Sequence, residues 1–192
     1  MAIHLILGRP GTGRMHALVE KLKEESERGK KVILLTTDIH IQELRERYSR
    51  DVKEKNSDIR IVEYSDRLNL LGIKSAIQYY QPDVVGIDTL AFIQLRAGAY
   101  IERQSDYHQA YMALEAFVSD FNVDIVAGRT IPYARGTTSE TQPTIFDVYN
   151  HERKSKTITG TYRQQDEQGN NAIGMIDLKT GYTRQLHLKQ VQ

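Results

Sequence analysis

The feature that most constrains this chain is an alternation of short, continuously apolar runs with longer stretches of helical periodicity. Residues 3–7, 31–36, 59–63, 84–87 and 123–127 read as strands. Between them, residues 14–28 carry apolar side chains at Met15, Leu18, Val19 and Leu22, and Gly29 follows. Residues 41–48 read as a short polar helix, 70–80 as a helix stopped by Pro82, and 105–121 as a long helix. An apolar stripe at i, i+3, i+4 and i+7 marks one buried helix face, and Gly or Pro ends it. A strand that is apolar at every position must be covered on both sides, which indicates a mostly parallel sheet with helices on both faces. The expectation is therefore an α/β core over residues 1–131.

After residue 131 the pattern changes. Residues 132–143 are polar and rich in Thr, and are expected as a loop. Residues 145–149, 157–162, 172–178 and 182–188 read as strands, separated by the turn signals Gly169-Asn170-Asn171 and Lys179-Thr180-Gly181. They are expected as antiparallel hairpins that close the sheet edge over residues 144–192. A length of 192 residues suits one sizeable core, so the whole chain is read as a single domain.

Gly8-Arg9-Pro10-Gly11-Thr12-Gly13-Arg14-Met15 follows the first strand and opens the first helix. Glycines in that context let backbone N–H groups turn inward around phosphate, and the helix N-terminus adds a positive dipole. The spacing from Gly8 to Gly13 fits the phosphate loop GxxxxGK[ST]. The next two residues depart from it. Arg14 stands where Lys reaches the phosphates, and the larger planar guanidinium is not an equivalent group. Met15 stands where Ser or Thr ligates magnesium, and a thioether is a poor ligand for that hard cation. A Gly-rich turn that binds nothing is the competing reading.

Downstream, Val84-Val85-Gly86-Ile87-Asp88 is an apolar run ending on a carboxylate. In a phosphate-loop fold such a residue lies beside the nucleotide's magnesium, so Asp88 is the candidate metal residue and a candidate catalytic one. Alternatively it caps the strand end. Asp38, just after the second strand, is the candidate for activating water, or else an N-cap for the helix that follows.

The order of these elements resembles RecA-like P-loop ATPase domains, above all the motor domain of DnaB-type replicative helicases and the short RecA-like recombination proteins of bacteriophages. The run from Val84 to Leu90 looks like that family's Walker B strand, and His108 to Asp120 is similar to the helix after it. Val123-Asp124-Ile125-Val126-Ala127-Gly128-Arg129 looks like the next strand, which in the family ends on a polar sensor; here that position is nearest Arg129. The resemblance covers nearly the whole chain. It implies ATP or another NTP as ligand, with Mg2+ if the site is active, held by Gly8, Pro10, Gly11, Thr12, Gly13, Arg14 and Met15. It also implies a basic finger that reaches a neighbouring subunit's nucleotide, for which Arg163 is the candidate, with Arg153 and Lys154 behind it; solvated edge charges are the plainer reading. Single-stranded DNA is implied at the C-terminal side of the sheet, with Arg96, Tyr100, Arg103, Tyr133 and Arg135 as contacts, through phosphate clamping and base stacking. The expected partners are further copies of the chain, or a helicase.

Composition sharpens these readings by exclusion. The net charge of +1 leaves any nucleic-acid site to a local patch. There is no cysteine, so thiolate chemistry is excluded, and the six histidines show no metal-ligand spacing. The apolar start is too brief for a secretory signal or a membrane span, so a cytoplasmic protein is expected. Three functions remain: an oligomeric DNA-dependent ATPase, a non-catalytic module of the same fold that loads or regulates a helicase, and a nucleoside-type small-molecule kinase.

Overall fold

The computed structural model describes residues 1–36, 59–64, 68–95 and 103–187. Its strands are β1 (Ile3–Gly8), β2 (Val32–Thr36), β3 (Ile59–Glu63), β4 (Leu68–Asn69), β5 (Val84–Asp88), β6 (Ile93–Gln94), β7 (Asp124–Thr130), β8 (Thr157–Gln165), β9 (Asn171–Asp177) and β10 (Thr183–His187). Its helices are α1 (Arg14–Glu27), α2 (Leu70–Tyr80) and α3 (Gln104–Phe121). One sheet runs in the order β10-β9-β8-β1-β7-β5-β2-β3, and β4 and β6 form a separate parallel pair. Every pairing from β8 across to β3 is parallel; β9 is antiparallel to both β8 and β10.

The strand alternation decides what each face meets. Ile6, Leu34, Val84 and Val126 point to one side, where α1 buries Ala17, Leu18, Val19 and Leu22 against them. Leu5, Leu7, Ile33, Leu35, Val85, Ile87, Ile125 and Ala127 point to the other, against Ile73 and Ile77 of α2 and Ala110, Tyr111 and Leu114 of α3. Two buried faces explain why these strands are apolar at consecutive positions. Each fully buried Leu or Ile contributes about 1.5–3 kcal/mol relative to exposure. No helix among the described residues is long and apolar enough to cross a membrane.

One expectation for the C-terminal region is corrected. Residues 145–149 are not a strand: Ile145–Asp147 is a 3-10 turn. The Asp147 carboxylate accepts the Thr144 N–H at 2.7 Å and lies 3.3 Å from its hydroxyl, and such local bonding competes with strand pairing. The closing antiparallel hairpins, β8 with β9 and β9 with β10, form as expected, and β8 is the strand that joins them to the core. β8 returns beside β1 and pairs parallel to it, from His4 with Thr157 to Gly8 with Thr161. Only β9 and β10 then add as an antiparallel meander. β7 runs three residues past the expected end at 127, because the backbone ladder to β1 continues through Leu7 with Arg129 and Gly8 with Thr130. The helix expected at 41–48 lies outside the described residues.

Candidate functional site

The C-terminal ends of β1, β5, β7 and β8 lie at one edge of the sheet, and the phosphate loop crosses above them. Gly8 ends β1 with the hydroxyls of Thr12 and Thr161 against its α-carbon; a β-carbon there would come within 2.2 Å of Thr161 Oγ1. These hydroxyls bond to each other at 2.9 Å, and Thr12 also donates to the Arg9 carbonyl at 2.8 Å. The Thr12 side chain thus braces the loop from below, and what Thr12 can offer a ligand is its backbone. Gly13 precedes α1 at φ 81°, with Ile173 so close that a β-carbon would sit 2.1 Å from its Cδ1. Only glycine meets both demands.

Above the loop, α1 begins with no side-chain cap and no acidic residue in its first turn. The first N–H groups of a helix have no intrahelical acceptor, so this end is a donor cluster with positive potential. A cleft of about 710 Å³ opens over it, lined among others by Pro10, Gly11, Met15, Thr130 and Arg163. A smaller hollow of about 410 Å³ beside Pro82 and Asn122 lies at the opposite edge of the sheet, away from these groups.

Arg14 defines the floor of the cleft. Its NH2 nitrogen lies 3.0 Å and its Nε 3.4 Å from Asp88 Oδ1, and NH1 donates to Thr130 Oγ1 at 2.6 Å. The Arg14 side chain is 15% exposed and the Asp88 side chain 7%. Gly128 makes room for them: a β-carbon there would stand 3.1 Å from Asp88 Oδ1 and 3.2 Å from Arg14 Nε. The two motifs legible in the sequence therefore meet, but they meet each other directly.

That contact bears on magnesium. The ion takes oxygen ligands in near-octahedral array at about 2.0–2.1 Å. Asp88 is already ion-paired to Arg14, and Met15 offers a thioether packed against the α1 core. The residues present do not fit the ion.

The other expected site residues fall as follows. Arg163, on β8, donates from Nε to the Gly11 carbonyl at 2.7 Å, so it reaches the phosphate loop of its own chain. Tyr133 is half exposed and its hydroxyl donates to the Pro10 carbonyl at 2.9 Å. Arg135 is exposed nearby in sequence. Arg103 caps α3, its N–H donating to Asp106 Oδ2 at 2.9 Å. Arg153 and Lys154 lie exposed on the 3-10 turn Glu152–Lys154. Asp38, Arg96 and Tyr100 lie outside the described residues.

Arg129, nearest the expected sensor, points to the other face of the sheet, where it pairs with Glu152 at 2.7 Å. The residue that reaches Arg14 is its neighbour Thr130. Strand alternation carries that signal, since Val126, Gly128 and Thr130 share the face of α1 and Arg129 does not. Arg9 was also missed. It is 3% exposed, donates from NH1 to the Thr141 carbonyl at 2.9 Å, and lies 3.8 Å from Asp147. With Tyr133 on Pro10, and the Arg163 N–H on the Ser139 carbonyl at 2.7 Å, it ties residues 132–143 to the phosphate loop.

No protein-family model matches the sequence, and no curated protein matches it. Solved structures do. The ATPase domain of a DnaB-type helicase superposes with a TM-score of 0.71 at 17% identity, covering 96% of this chain and 80% of that one. A KaiC-like protein from the hyperthermophilic archaeon Pyrococcus horikoshii superposes with a TM-score of 0.60 at 13% identity, covering 97% of this chain and 82% of that one. At such identities the likeness establishes the fold, which is that of a RecA-like P-loop domain resembling the DnaB-type motor.

Proposed function

We propose that this chain is a nucleotide-binding RecA-type domain with weak or absent hydrolysis, acting in the cytoplasm in DNA replication or recombination. The observation that carries the reading is the contact of Arg14 with Asp88 and Thr130 beside a phosphate loop that keeps its glycines from Gly8 to Gly13. The loop amides and the uncapped start of α1 supply what a polyphosphate needs. The pairing of Arg14 with Asp88 removes what phosphoryl transfer to water needs, namely a free carboxylate beside a metal. Likeness to two proteins described as an ATPase domain and as KaiC-like supports the choice of nucleotide.

Single-stranded DNA is the proposed macromolecular ligand, along the side of the sheet that carries Arg103, Tyr133 and Arg135, with Arg96 and Tyr100 as further candidates. The Tyr133 hydroxyl on Pro10 supports this by linking that side to the phosphate loop. The domain works as a homo-oligomer or beside a helicase.

The test is ATP binding and turnover, with and without single-stranded DNA, for the natural chain and an Arg14→Lys, Met15→Thr double variant. The expected result is binding by both, with turnover in the variant faster by at least about a hundredfold, the scale on which one transition-state contact acts. Absence of ATP binding would remove the nucleotide reading. Binding without turnover under every condition would favour the non-catalytic module that loads or regulates a helicase, again on the strength of Arg14.

A further inference from the structure

The Arg14–Asp88 contact reads as a built arrangement. The guanidinium has an acceptor on each of two strands, Asp88 at the end of β5 and Thr130 at the end of β7. The slot it fills exists because residue 128 has no side chain, and Leu18 lies 3.4 Å from where that side chain would begin. The residue that would offer a metal its hydroxyl is instead Met15, a half-buried thioether that packs on the α1 cluster and borders the cleft. A fixed positive charge therefore stands where a mobile one is expected. A divalent ion placed beside Asp88 would face that guanidinium at contact range and would have to displace it from the carboxylate.

Two further positive groups border the same cleft. Arg163, exposed, lies with one guanidinium nitrogen 3.5 Å from where a Gly11 side chain would begin. The first turn of α1 adds its amide donors and the positive end of its dipole. These groups compensate a polyphosphate from the protein side.

We infer that the site takes a metal-free nucleoside triphosphate, with the Arg14 guanidinium serving as its built-in cation. The inference rests on the proposed nucleotide binding, and deepens it. Guanidinium donors match phosphate oxygens through directed hydrogen bonds, whereas a metal binds them through its own coordination shell. Magnesium is then a competitor for the free nucleotide and not a component of the complex.

The experiment is calorimetric titration of the natural chain with ATP, once in excess EDTA and once in excess Mg2+. It is paired with electron paramagnetic resonance of Mn2+ added to the chain at saturating ATP. The expected result is an affinity in EDTA equal to or tighter than that in Mg2+, and a Mn2+ spectrum with no protein-bound component. Loss of affinity in EDTA by about tenfold or more, the scale of a lost metal contact, would overturn the inference and leave the nucleotide reading standing. Mn2+ immobilised on the protein in the ATP complex would overturn it in the same way. No ATP binding in either buffer would overturn both. The double variant Arg14→Lys, Met15→Thr adds a positive arm: its ATP affinity is expected to become dependent on Mg2+, and a variant that binds equally well in EDTA would count against the role given to Arg14.

Discussion

Two arginines stand at the ends of adjacent paths through this sheet, each paired with a carboxylate, and they have different fates. Arg129 points to the face covered by α3. It pairs with Glu152 at 2.7 Å, with both side chains at most 2% exposed. Its N–H is not aimed along that line, so the contact is an ion pair more than an aligned hydrogen bond. The site is sealed by the Tyr149 ring 4.4 Å and the Tyr107 ring 5.7 Å from the guanidinium carbon, and by an Arg129 bond to the Asp147 carbonyl. Glu152 in turn accepts the Tyr149 N–H at 2.9 Å. Arg14 points to the opposite face and borders an open cleft, with ligand-binding amides beside it. The same chemistry holds the loop architecture together where water is excluded, and forms a candidate ligand site where water has access.

That contrast breaks first at the sealed pair. Arg129→Ala leaves Glu152 buried without its counter-charge, and unfolding in urea should show a loss of about 3–5 kcal/mol. A loss below about 1 kcal/mol would mean the sealed pair is no more structural than the open one. Asp88→Asn keeps an acceptor for Arg14 but loses the charge, and is expected to cost about 1–2 kcal/mol. An effect as large as that of Arg129→Ala would make Arg14–Asp88 a structural pair first.

The smallest effect is expected at a third cluster, where α1 ends. Burial would raise the Glu25 carboxyl, but hydrogen bonds from Lys30 and Lys21 outweigh it and hold it at about 2. A carboxyl depressed on folding stabilises above its unfolded value of 4.5, and that contribution is lost as pH falls from 4.5 toward 2. The Arg28 partner is 61% exposed and Lys30 35%, so solvent screening reduces the effect to about 1 kcal/mol at neutral pH. Glu25→Gln should lower stability by that amount at pH 7 and leave it unchanged near pH 2, measured by urea unfolding at the two values. An equal loss at both would show that packing, not charge, is what the variant removes.

Much of this was legible from local pattern. Residues 59–63 and 70–80 are a strand and a helix at the expected bounds, and those of the helix are set by local signals: an Asn69 side chain accepting the Gly72 N–H at one end, and a turn before Pro82 at the other. The phosphate loop was legible because it needs glycine at fixed places. The turn at Ile145–Asp147 was not, since Phe146 and Val148 mimic a strand pattern while a single Thr144–Asp147 interaction decides the conformation. Arg129, nearest the expected sensor position, faces away from the phosphate loop, while its neighbour Thr130 reaches Arg14. One residue of difference moves a strand side chain to the other face.

The sequence alone determined the order of the core strands β1, β2, β3, β5 and β7 and of α1, α2 and α3 among them, the phosphate loop, and the two departures at Arg14 and Met15. Each depends on residues within about one helical turn or one strand of each other. Tertiary structure alone decided that Arg14 turns down onto Asp88 and Thr130, 74 and 116 residues away along the chain. It likewise decided that Arg163 lies on the loop of its own chain, and that β8 runs parallel to β1. Those outcomes follow from which strands become neighbours, and strand adjacency is fixed by packing both faces of the sheet at once, which no local run of residues encodes.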